Sequence, residues 1–149
     1  MRALMSPGVV LLVGCAFGQP ALPADDSMLM EGKWKVVALE ADGRKAPPDD
    51  IKGMRWTVKS GELEMTNPGG QSKNKATISL DSGKSPKHID LVAADGADKG
   101  KPVLGIYKLE KDSLVVCIRS PGAKKGRPKE FATTANSGLG LITLERVKE

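Results

Sequence analysis

From residue 33 to residue 147 the chain is a succession of short β-rich runs, each closed by a turn signal. No stretch sustains a helical apolar period over three turns. The runs fall at 33–40, 54–60, 62–66, 75–80, 87–92, 102–109, 113–119 and 139–147. Between them lie Ala41-Asp42-Gly43, the Asn67-Pro68-Gly69-Gly70 breaker, the 95–100 turn and the tight Glu110-Lys111-Asp112 connection. Glycine supplies the positive φ that such turns require. Within the runs the period is two: Ala76, Ile78 and Leu80 alternate with polar residues. In the last run Leu139, Leu141 and Thr143 share one face, and Ile142, Leu144 and Arg146 the other. About eight such strands predict an all-β, antiparallel sandwich or barrel. Helix is expected only as one short turn at 26–31, where Asp26 and Ser27 precede three apolar residues, and as a loop or helical turn at 47–53.

The first 24 residues have a different character. Arg2 gives a positive start, and Val9-Val10-Leu11-Leu12-Val13 is an apolar centre too short to span a bilayer. Residues 1–24 therefore read as an export signal and tether, and residues 27–149 as the folded domain. Leu12-Val13-Gly14-Cys15 resembles a bacterial lipobox, in which Cys15 is lipidated and becomes the new amino terminus. The other reading is ordinary cleavage after Ala16-Phe17-Gly18 or near Ala24, which discards Cys15. Either way the expected location is the periplasm or cell envelope, with any membrane attachment made through the N-terminal lipid.

A domain of this length buries about two thirds of its unfolded surface, so it folds without disulfide or metal. Only 3% of the 149 residues are aromatic, against 17 Gly and 10 Pro. The core is accordingly expected to be Val, Leu, Ile and Met between many turns. Once Cys15 is lipidated or removed, Cys117 is the sole thiol, and an internal disulfide is excluded. Inside Leu114-Val115-Val116-Cys117-Ile118 it reads as a small apolar strand residue. Charge is mildly basic, 23 Lys and Arg against 18 Asp and Glu, with both signs interspersed. That pattern, together with export and the lack of an aromatic platform, argues against nucleic acid.

From Met30 onward the chain resembles a family of small exported domains, abundant in planctomycete bacteria and regarded as lipocalin-like. The matching stretches are Glu31-Gly32-Lys33-Trp34-Lys35-Val36-Val37, Pro86-Lys87-His88-Ile89-Asp90-Leu91, Gly105-Ile106-Tyr107-Lys108-Leu109, Asp112-Ser113-Leu114-Val115-Val116-Cys117 and Arg127-Pro128-Lys129-Glu130-Phe131. The resemblance implies an eight-stranded, lipocalin-like β-barrel and carries no established activity with it. Gly32-Lys33-Trp34 is also similar to the G-x-W of lipocalins. There the Trp closes one end of the barrel beneath an Arg from the final strand, which implies a structural pairing of Trp34 with Arg146.

Catalytic chemistry finds little footing. His88 is the single imidazole, and Asp90, two residues on, shares its strand face, but no nucleophile accompanies them. No catalytic residue, metal or cofactor is expected. The 95–100 turn lacks the carboxylate spacing of a calcium loop and contains Lys99. Asp49-Asp50 reads as a helix cap or exposed corner. Arg119, Lys124, Lys125, Arg127 and Lys129 surround a Gly/Pro loop, read either as a solvated loop or as a dock for anionic groups. The remaining place for function is the barrel interior, where Val36, Trp56, Val58, Ile78, Tyr107, Val116 and Ile142 are the candidate ligand-lining residues. The expected function is a non-catalytic binding domain for a small apolar ligand. The alternative is an envelope module that contacts or inhibits another protein through its loops.

Overall fold

The computed structural model describes residues 26–121 and 125–148. Residues 12–15, expected to form a lipobox, the rest of the expected 1–24 export segment, and Lys124 lie outside the described residues.

Nine strands follow a short helix: α1 (Asp26–Met30), β1 (Gly32–Ala41), β2 (Arg44–Lys45), a second helical turn α2 (Pro48–Ile51), β3 (Arg55–Lys59), β4 (Glu62–Thr66), β5 (Lys73–Asp81), β6 (Lys87–Ala93), β7 (Pro102–Leu109), β8 (Ser113–Arg119) and β9 (Leu139–Arg146). From β3 to β9 each strand pairs antiparallel with the next, β1 pairs with β3, and β9 returns to pair with β1 from Trp34↔Arg146 to Ala41↔Gly140. The result is a closed, up-and-down, eight-stranded barrel of lipocalin-like architecture, with β2 an added ribbon on the far end of β1. Closure removes the unpaired edges that an open sheet of this length would expose.

The two-residue period decides which side chains enter the barrel. Trp34 and Val36 of β1, Trp56 and Val58 of β3, Leu63 of β4, Ala76 of β5, Ile89 and Leu91 of β6, Tyr107 of β7, Leu114 and Val116 of β8, and Ile142 and Leu144 of β9 form one buried cluster. In β1 the alternation slips between Val36 and Ala38, where the register with β9 shifts by a bulge. Residues before and after that point can therefore both serve the interior: Trp34 and Val36 below it, Leu39 above it. Val37 is left outside, 37% exposed.

The two ends differ. At the end where β1 begins, α1 lies across the opening and Met30 is fully buried. Asp26, at the start of α1, is also tied to the barrel. Its Oδ2 accepts hydrogen bonds from Lys87 Nζ (2.8 Å) and Tyr107 OH (2.6 Å). The opposite end is rimmed by the turns after β1, β4, β6 and β8.

A second layer covers part of the barrel wall. The connection from β8 to β9 runs back over the outer face of β6 to β8. Ile106 and Cys117 point outward as register partners, yet are buried. Pro128 of the connection is buried as well, and Cys117 Sγ lies 3.9 Å from the Ala132 carbonyl. This segment is a strap, fastened at several points along its length. Arg119 donates from Nε to Gly126 O (2.6 Å) and from Nη1 to Ser137 O (2.7 Å). Gly43 N donates to Thr133 Oγ1 (2.9 Å), and Gly138 N to Asp42 Oδ1 (2.7 Å).

Candidate functional site

The closed end is built by a few residues around Trp34. Its indole is buried, and Nε1 donates to Met30 O at 2.9 Å, so the barrel floor and α1 are locked together. Arg146 stacks over the indole with Cζ 4.3 Å from the ring centroid. The guanidinium also donates to the carbonyls of Glu31 (2.8 Å), Leu29 and Lys111 (3.1 Å). Gly32 makes room for it: φ is +125°, and a Cβ there would lie 2.9 Å from Arg146 Nη1. The hydrogen bonds of Trp34 and Arg146 all end on backbone carbonyls, and Arg146 Nε also lies 3.8 Å from the Asp112 carboxylate, which is the geometry of a structural seal.

Burial pushes the Asp26 carboxyl up, but the hydrogen bonds from Lys87 and Tyr107, with the Lys87 charge, outweigh it. The net effect holds the carboxyl below the usual range.

The seven interior residues expected to line a ligand are mostly packing. Val36, Trp56, Val58, Tyr107, Val116 and Ile142 belong to the buried core, and Ile78 packs against it. Ile78 also borders a small recess of about 100 Å³ beneath α1. None of the seven borders the cavity at the open end. There the interior is unfilled, and a cavity of about 330 Å³ lies between β4, β5, β6, β7 and the end of β8. Its apolar wall is Met65, Ala76, Leu91, Ala93, Val103 and Ile118. Its polar rim holds Asn74 and Lys75, with Asp95, Asp98 and Lys101 of the β6–β7 loop. Alternation gives these residues their inward place, and the register brings two of the smallest, Ala76 and Ala93, directly opposite each other in the cavity wall.

The other sequence candidates are placed as follows. The 95–100 turn roofs this cavity; Asp98 pairs with Lys101 (3.4 Å), and Asp95 Oδ1 accepts from Lys75 N at 3.5 Å. Asp49 and Asp50 sit in the first turn of α2. Among the described residues no cluster of three or more His, Cys, Asp or Glu is arranged to hold a metal ion. His88 and Asp90 face outward on β6, but Asp90 is committed to the strap. Arg127 Nη1 lies 2.7 Å from Asp90 Oδ1, an atom shielded from solvent. The two carbonyls, Gly105 O (2.7 Å) and Ile89 O (3.3 Å), accept the hydrogen bonds from that same nitrogen. The contact with the carboxylate is therefore an ion pair rather than a hydrogen bond.

Two members of the basic loop, Arg119 and Arg127, are thus fasteners of the strap, whereas Lys125 and Lys129 are exposed. Burial pushes the Cys117 thiol up, away from the thiolate form that a nucleophile needs. What sequence reasoning missed is the strap. A signal for it existed: Val115-Val116-Cys117-Ile118 is apolar on both faces, as a strand covered on both sides must be.

Compared against protein-family models, curated proteins and solved structures, the chain has no significant match.

Proposed function

We propose that this chain is a non-catalytic binding domain that takes a small, largely apolar ligand at the open mouth of its barrel. The observation that carries this reading is the 330 Å³ cavity with apolar walls and a polar rim, set above an otherwise filled interior. Cavities that hold drug-sized ligands start at about 300 Å³, and one of roughly 150 Å³ already holds benzene. A ligand of one or two rings, or a short branched chain, matches that size. Asn74, Lys75 and the β6–β7 loop would meet its polar end, while the apolar wall takes its body.

The resemblance to exported planctomycete domains, the charged start of the chain and its short apolar centre support an envelope location. Attachment through Cys15 is part of the same proposal. The alternative, a module that contacts another protein through its surface, draws support from how completely the lower barrel is packed.

Native mass spectrometry of the protein recovered from its own envelope extract separates the two. The expected result is a reproducible additional mass of a few hundred daltons that disappears in Ala93→Phe, which fills the mouth. A bare protein mass would overturn the ligand reading and leave the surface module.

A further inference from the structure

A second depression lies at the closed end, on the rim between β6 and β7, and does not depend on the mouth cavity or its ligand. It measures about 270 Å³ and is bordered by Lys84, Pro86, Lys87, Lys108, Leu109 and Phe131. Three lysines therefore border one hollow. Lys84 comes from the β5–β6 turn. The register sets Lys87 opposite the inward-facing Tyr107, whereas Lys108, one position on along β7, faces outward toward the strap.

Only one carboxylate answers them. Asp26 lies 2.8 Å from Lys87 Nζ and has a side chain only 12% exposed, so it faces the barrel floor rather than the hollow. Among the described residues neither Lys84 nor Lys108 takes part in an ion pair. Lys108 instead rests 5.0 Å from the centroid of Phe131, carried there by the strap. A cation–π contact holds an ammonium without neutralising it. The hollow thus keeps a local excess of two positive charges beside an apolar wall of Pro86, Leu109 and Phe131.

Lysine binds phosphoryl oxygens as a point charge with three rotatable donors, and two lysines without a counter-charge beside one hollow can approach a tetrahedral oxyanion from different sides. We infer that this pocket binds the phosphate group of an anionic ligand, with Lys84 and Lys108 as its charged contacts, while Lys87 stays paired with Asp26. The apolar wall takes the organic part of a phosphate ester. That ester is either a soluble metabolite or the headgroup of an anionic lipid, and the two share the chemistry that the pocket reads.

The test is an amide NMR titration of the purified protein with inorganic phosphate at constant ionic strength, with chloride as the reference salt. The expected result is saturable shifts confined to residues 84–87, 107–109 and 131. In the Lys84→Gln/Lys108→Gln double variant, whose altered side chains are exposed, affinity should fall at least tenfold. A charge-matched control, Lys59→Gln/Lys125→Gln, should retain it. Cosedimentation with phosphatidylcholine vesicles, with and without phosphatidylglycerol, then distinguishes the sources. Binding that requires phosphatidylglycerol and is lost in the double variant assigns the headgroup; phosphate saturation without vesicle binding assigns a soluble ester. The inference is overturned by shifts that do not saturate, by a double variant that binds as the parent does, or by a control that loses as much.

Discussion

At the scale of single residues, the closed end shows how little freedom its sequence has. Arg146 occupies the space that a side chain on Gly32 would need, and Trp34 is sealed between that guanidinium and α1. Truncating a fully buried aromatic forfeits its transfer energy and leaves a cavity, at a cost of about 3–5 kcal/mol. Trp34→Ala is therefore expected to lower the urea midpoint by a corresponding amount, and an unchanged midpoint would sink this account of the floor. Asp26 adds a dependence on pH. Its folded pKa is lower than its unfolded value of about 3.9. Its bonds to Lys87 and Tyr107 therefore contribute fully above that value, and the contribution is lost as pH falls through the folded pKa. The stability gap between the parent and Asp26→Asn should be widest near neutrality and close in acid. A gap that stays constant across that range would show that the carboxylate charge is not what matters.

At the scale of elements, the strap is the part whose role can be isolated. Arg127 joins it to the barrel wall through two carbonyls and Asp90. Arg127→Ala removes those contacts and leaves a shielded carboxylate oxygen without its counter-charge, a loss of about 1–3 kcal/mol. Cys117, buried beneath the strap, should then react faster with a thiol reagent while the far-ultraviolet circular dichroism stays that of the barrel. An unchanged thiol rate would mean that the strap is held elsewhere, by Arg119 and Thr133. The eight barrel strands were legible in the sequence because each alternates one buried face against one wet face between strong turn residues. The Ala76-Ile78-Leu80 and Ile142-Leu144-Arg146 triplets are such cases. The strap's own residues follow no period, so its course was not legible; its one trace in the sequence is the run from Val115 to Ile118 on β8, apolar on both faces. The mouth cavity was not legible either. Sequence marks a residue as inward, but whether Val116 meets a neighbour or Val103 meets empty space depends on strand level, which only the assembled register sets. The same holds for Asp26, whose partners lie 61 and 81 positions away.

At the scale of the whole molecule, the barrel has a sealed end and an open one, and α1 packs across the sealed end. Cys15→Ser is expected to release the protein from the membrane fraction with its unfolding transition unchanged; continued partition with membranes would rule out the lipid tether. The pairing of β1 with β9 has a further consequence, one of timing. Of the barrel strands, the first made has the last made as its partner, so the ring stays open until β9 is synthesised. Both the Trp34 floor and the Leu144 side of the core wait for β9 to arrive. A nascent or truncated chain that stops before Leu139 holds the meander from β1 to β8 with two raw edges, one on β1 and one on β8. Those edges, absent from the closed ring, are what sets an unfinished barrel apart from a finished one.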